Sequence, residues 1–191
     1  MRLWTIQPQE IGELLQAGNT FVCDEDKIDL FDVDGFREAY DWMTVKMDEH
    51  GIRRIKKAKY PVWAWHTREW KHKRPDLRLG GYGKRGDRLS CIEFEIPESE
   101  VLLSDFDAWH FVLNNLWLDG SVTEAESRKN EIYFDSLTKE EQERAKADSW
   151  NRIFVISPYE NDWIVRGCYI QAVFWELRPD MVTECRFFTA K

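Results

Sequence analysis

The chain has 191 residues, 43% of them apolar, 14% aromatic and 32% charged, enough to bury the core of one globular domain without disulfide or metal staples. A formal charge of −8 argues against a generally basic nucleic-acid coat or a polybasic membrane binder, while ten Trp, eleven Phe and six Tyr supply an unusual number of rings. Cys23, Cys91, Cys168 and Cys185 lie far apart without a C-x-x-C pair, so they read as buried thiols and no metal is expected.

Residues 2–7 read as a short strand, and Pro8 opens a helix where its missing N–H costs nothing. Ile11, Leu14 and Leu15 recur in it at helical spacing, and Gly18 is the stop. A second helix is predicted from near Asp34, with Phe36, Tyr40, Met43 and Met47 on one core face and Gly51 at its end. In the stretch Tyr60 to His66, Trp63 and Trp65 alternate with small residues, which suits a strand carrying both indoles on one face. Residues 67–88 are polar, basic and rich in glycine, hence a long loop or irregular hairpin of the kind that is often functional. From Leu89 to Ile96 the alternation is clean, with Ile92, Phe94 and Ile96 facing one way and Glu93 and Glu95 the other.

After the apolar run Val101–Leu103, Ser104 with Asp107 resembles a capping box for a helix carrying Phe106, Trp109, Val112, Leu113 and Leu116. Thr138 with Glu141 repeats that signature before a highly charged helix reaching Trp150. The tail segments Arg152–Ile156, Cys168–Leu177 and Met181–Phe188 read as three strands. Strands at both ends enclosing helices imply an α+β fold, a single domain over 1–191 with a mixed or antiparallel sheet. No basic region leads into an apolar stretch at the start, and no apolar run nears the ~18 residues of a membrane span. A cytoplasmic setting without membrane contact is therefore expected.

The charge map is lopsided. Residues 53–88 hold thirteen Lys or Arg against three acids, whereas residues 89–127 hold nine acids and no Lys or Arg. One reading is that cations including Arg74, Arg78 and Arg85 grip phosphate, of a dinucleotide or a polynucleotide, with glycine letting the backbone come close. The other is a solvated loop pairing with the domain's own acidic face.

Motifs for chemistry are sparse: there is no G-x-S-x-G elbow, no P-loop and no G-x-G-x-x-G. His66 and His72 have no third ligand nearby, and His110 reads as a packed helix residue. Asp105 and Asp107 could supply acid and base, although carboxylates at a helix start have a sufficient structural reason to be there. Trp63 and Trp65 are core residues or, beside the basic loop, a stacking wall for a base or nicotinamide.

The segments Leu3-Trp4-Thr5-x-Gln7, Tyr60-Pro61-Val62-Trp63-Ala64-Trp65, Arg74-Pro75-Asp76-Leu77-Arg78, Leu103-Ser104-Asp105-Phe106-Asp107-x-Trp109 and Ile170-Gln171-Ala172-Val173-Phe174-Trp175 together resemble a bacterial family known as a domain of unknown function. The order of elements is more distantly similar to ADP-ribosyltransferases, which cleave the nicotinamide bond of NAD. That resemblance implies NAD as cofactor. By position it places Thr5 where those enzymes carry His or Arg, makes Trp65 the nicotinamide wall, and puts Gln171 near their Glu, with Glu176 as a substitute in another register. Gln7, Trp63, Arg74, Arg78 and Arg85 would complete the ligand site. The chain is thus either an NAD-utilising protein of this type or a degenerate relative, with Thr5, Trp65 and Gln171 in one cleft, or a binding module whose residues 53–88 hold nucleic acid or an acidic protein partner.

Overall fold

The computed structural model describes residues 1–23 and 36–191. In chain order its elements are β1 (Arg2–Pro8), α1 (Gln9–Gln16), β2 (Phe21–Val22), α2 (Phe36–Glu49), β3 (Val62–Thr67), β4 (Arg88–Glu95), β5 (Leu102–Asp105), α3 (Phe106–Leu113), α4 (Glu124–Ser136), α5 (Lys139–Ser149), β6 (Tyr159–Glu160), β7 (Val165–Arg166), β8 (Ile170–Phe174), β9 (Glu176–Leu177) and β10 (Val182–Thr189). Among the described residues, six strands form one sheet in the order β10-β4-β1-β3-β8-β5, and every neighbouring pair is antiparallel. The expectation of an α+β fold with a mixed or antiparallel sheet therefore resolves to the antiparallel form.

Successive strand residues point to opposite faces, so the sheet builds two cores. Leu3, Ala64, Ile92, Phe94 and Phe174 share one face and pack with Ile11 and Leu15 of α1. Helix α1 lies close to the sheet at Gly12, where an added Cβ would come within 2.9 Å of Ser90, Cys185 and Phe187. The opposite face buries Leu102 and Val173 against Tyr40, Met43 and Met47 of α2, Trp109 and Val112 of α3, and Ile153 of the 3₁₀ turn Trp150–Phe154. Helices α1, α2 and α3 each bury an apolar side against their core.

The basic glycine-rich segment has a topological cause. Both β3 and β4 run antiparallel to β1, which lies between them, so they run in the same direction and the chain must cross the sheet's length between Thr67 and Arg88. Parallel strands are usually joined through a helix. Here residues 68–87 make the crossing as an irregular loop over the face that carries Trp4. His72 sits on Trp4 with ring centroids 5.1 Å apart and bonds the Arg2 carbonyl at 2.7 Å; Tyr82 reaches Phe188 of β10 at 6.2 Å.

Local signals held at several ends and failed at others. Gly18 and Gly51 terminate α1 and α2 with φ of 85° and 76°, and Thr138 with Glu141 forms the capping box of α5. The start near Asp34 lies outside the described residues. Ser104 does not cap α3. It remains in β5, and the neighbouring Asp105 caps instead, accepting from the Ala108 N–H at 2.9 Å. Arg152–Ile156 is no strand: Trp150–Phe154 continues α5 as a 3₁₀ turn, pinned by the Trp150 indole N–H bonded to the Leu116 carbonyl. Cys168–Leu177 divides into β8 and β9, and Met181–Phe188 is β10. Cys91 is buried, and burial pushes its thiol up to about 11; Cys23, Cys168 and Cys185 are half-buried. No helix among the described residues is long and apolar enough to cross a membrane.

Strands β5 and β8 are neighbours in the sheet, yet residues 106–169 intervene. That excursion forms α3, α4, α5 and the β6–β7 hairpin, beside the sheet.

Candidate functional site

A groove of about 760 Å³ opens within this excursion. One wall is the exposed side of α3, from Asp107 to Phe111. The opposite wall is α4, where Ser127, Glu131 and Asp135 recur every four residues and so share a face. The mouth is bounded by the hairpin residues Trp163–Arg166. Four aromatic side chains line it: Phe111, Trp117, Phe134 and Trp163. Trp117 and Phe134 stack with centroids 4.4 Å apart and planes 13° apart, while Phe111 and Trp163 are 38% and 46% exposed. Large rings left open to water in a concave wall are the ordinary signature of a ligand site.

The walls are held by side-chain bonds to backbone. Buried Asp105 accepts the Ala108 N–H through one oxygen and the Gly167 N–H, at 2.6 Å, through the other, so a single carboxylate ties the start of α3 to the chain leaving the hairpin. Asn161 bonds the Val122 carbonyl at 2.8 Å through its Nδ2 and takes the N–H groups of Trp163 and Ile164 on its Oδ1, which fixes the hairpin across the mouth. Ser149 Oγ accepts the Leu118 N–H at 3.0 Å and holds the floor. At Gly120 φ is 72°, and the Arg152 side chain lies so close that any Cβ there would collide with it. Burial, helped by the neighbouring Asp105 charge and opposed by His110, raises Asp107 above the usual carboxylate range.

Of the residues singled out by sequence, Asp105 and Asp107 line the groove, and the others lie elsewhere and on two faces of the sheet. Trp4 stands directly opposite Trp65, Trp65 opposite Gln171, and Gln171 opposite Ser104, so these four share the face toward α2 and α3. Thr5, one residue on, necessarily faces α1. It is fully buried, donates to the Trp63 carbonyl at 2.7 Å and accepts from Gln7 Nε2 at 2.8 Å. Thr5 and Gln7 are thus separated by the sheet from Trp65 and Gln171, and no single cleft collects Thr5, Trp65 and Gln171. Trp63 packs on Tyr40 and Trp109, at 5.7 and 4.9 Å. Half-buried Trp65 lies against Phe106 at 4.9 Å with the Arg68 guanidinium 4.6 Å from its ring. Glu176 sits in β9 and accepts from Arg178 at 3.0 Å.

The basic segment divides as well. Arg74 pairs with Glu184 at 3.0 Å, Arg78 forks onto Asp76 through two nitrogens, and Arg85 is exposed with no ion pair among the described residues. That fork holds Asp76 well below the usual range. Four buried polar atoms, Trp63 Nε1, the Tyr82 hydroxyl, Ser104 Oγ and Gln171 Nε2, have no hydrogen-bond partner among the described residues. His66 and His72 stack at 4.4 Å, but no group of three or more metal-ligating side chains occurs among the described residues.

Two signals pointed toward the groove. The run of nine acids without a cation over 89–127 contributes Asp105, Asp107 and Asp119 to it. Thr123 followed by Glu126 is a helix-start spacing, and Thr123 does cap α4. The mostly polar sequence of α4 hid its apolar lining residue Phe134.

Residues 2–183 match the family described as "Domain of unknown function (DUF3841)", and the chain belongs to that family. No curated protein and no solved structure matches it.

Proposed function

We propose that this member of the family is a binding domain for a small molecule, and that the groove between α3, α4 and the β6–β7 hairpin is where it binds. The observation that carries this reading is a concavity of about 760 Å³ walled by four aromatic side chains, two of them with open faces. Cavities of about 300–1,000 Å³ suit drug-sized ligands. The groove's fixed walls mean that little ordering is needed on binding.

A second reading, an NAD-utilising protein similar to ADP-ribosyltransferases, is favoured by one contact, the cross-strand pairing of Trp65 with Gln171. A third, a surface for nucleic acid or an acidic partner, is favoured by topology: β3 and β4 start at the same end of the sheet, and the cations before β3 and around the start of β4, among them Lys56, Lys57, Arg85 and Arg88, are exposed.

One thermal-shift experiment separates the three, using a panel of small amphipathic molecules, NAD and an oligonucleotide with wild type, Trp163→Ala, Trp65→Ala and Arg85→Glu. A ligand at 100 times its Kd stabilises by about 2.7 kcal/mol, a shift of a few degrees in a domain of this size. The groove reading expects small-molecule shifts that Trp163→Ala removes and Trp65→Ala leaves in place. Shifts that occur only with NAD and vanish only in Trp65→Ala would replace it with the second reading. Oligonucleotide binding that weakens steeply with salt and is lost in Arg85→Glu would replace it with the third.

A further inference from the structure

The charges in the groove are not balanced. Five carboxylates line it against two guanidinium groups. Part of this charge is committed: Asp105 to two backbone N–H groups, Asp119 to the Ser121 N–H at 3.2 Å, and Arg166 to the Ser157 carbonyl and hydroxyl. What remains is Asp107 on α3 and Glu131 with Asp135 on α4, none carrying a hydrogen bond or ion pair among the described residues. The uncommitted acids therefore come from both α3 and α4, in a lining that also carries the rings of Phe111, Trp117 and Trp163. Arg152, the remaining cation, is turned against Gly120.

We infer that the ligand of this groove is a small organic cation, an ammonium on an apolar or aromatic body, held by the uncommitted carboxylates of α3 and α4 with its body and charge against the aromatic walls. The inference rests on the reading of the groove as the binding site and adds the ligand's chemical class. A positive charge is attracted to the face of an indole or phenyl ring, and more strongly where water is displaced. Carboxylates on both walls attract such a guest and repel a phosphate. An anionic or nucleotide guest would have only Arg152 and Arg166 for its charge.

The test uses three probes of nearly one shape: 2-phenylethylammonium, neutral 2-phenylethanol and anionic 3-phenylpropionate. Each is titrated into the full chain at low salt while the tryptophan indole N–H resonances are followed. The expected result is that the ammonium moves Trp163 and Trp117, binds at least about tenfold tighter than the alcohol, and loses most of that advantage in Asp107→Asn combined with Glu131→Gln. The carboxylate probe leaves the spectrum unchanged. If alcohol and ammonium move the same two indoles with equal affinity, or the carboxylate binds best, the cation inference falls while the groove stands. If millimolar concentrations of all three leave both indoles unmoved, the groove reading falls with it. The double variant keeps the shape of both side chains, and its folding is checked by the unchanged core indole resonances.

Discussion

Removing the Asp105 carboxylate should destabilise the whole excursion, because it is 2% exposed and its two oxygens each take one backbone N–H, of Ala108 and Gly167. A hydrogen bond to a charged acceptor contributes about 1.5–3 kcal/mol, and loss of a helix N-cap alone costs about 0.5–2. Asp105→Ala also leaves the Gly167 N–H buried and unpaired, while the desolvation of the carboxylate is no longer incurred. The balance is a loss of about 3–5 kcal/mol, a large share of the 5–15 kcal/mol that holds typical domains together. With a urea m-value near ~2 kcal/mol/M, the unfolding midpoint falls by roughly 1.5–2.5 M. Asp105→Asn keeps one acceptor oxygen and should lose about half as much. Equilibrium urea unfolding followed by circular dichroism measures both variants. A loss below about 1 kcal/mol for Asp105→Ala at unchanged m would refute the assignment of this carboxylate as the clasp of the groove and reopen a chemical role for it.

Two further outcomes concern neighbouring residues. Because the native pKa of Asp107 lies above its ordinary 3.8, the folded chain holds that proton more tightly than the unfolded one. Its favourable contribution is complete below that ordinary value and is lost as pH rises through the native pKa, so Asp107→Asn should melt higher than wild type at pH 7, with the gain shrinking towards pH 4. A melting curve in which the variant gains nothing at neutral pH contradicts the burial assigned to this carboxyl. Ser104→Ala removes a fully buried hydroxyl that has no partner among the described residues, and should change stability by no more than about 1 kcal/mol, in the stabilising direction if at all. A clear loss in urea unfolding would show that this hydroxyl is bonded in solution.

The sheet was legible in the sequence where one face is apolar and the other polar. Ile92, Phe94 and Ile96 against Glu93 and Glu95 gave β4 its register, and Trp63 with Trp65 gave β3 its shared face. Thr5 is on the other face from Trp65 for the same period-two reason: Trp4 is the β1 residue on the Trp65 face, and a shift of one residue moves a side chain through the sheet. The glycine-rich basic loop carried a signal of function in its composition, but its length comes from a crossover between strands that run the same way. No local pattern reveals strand direction, which depends on pairings far apart in sequence. The groove was hidden for a related reason. Its lining comes from α3, α4 and a hairpin that are separate in sequence, and what marked the region beforehand was the excess of acids between Leu89 and Ser127, with Asp105 and Asp107 within it, and the helix-start spacing of Thr123 and Glu126.

With ten tryptophans placed in distinct surroundings, the indole N–H spectrum reports directly on where a ligand sits. A bound small molecule should displace the resonances of Trp117 and Trp163 and leave those of Trp4, Trp63 and Trp65, on the sheet face, where they were. Displacement confined to Trp65 and its neighbours, with Trp117 and Trp163 unmoved at saturation, would put the binding site on the sheet and contradict the groove.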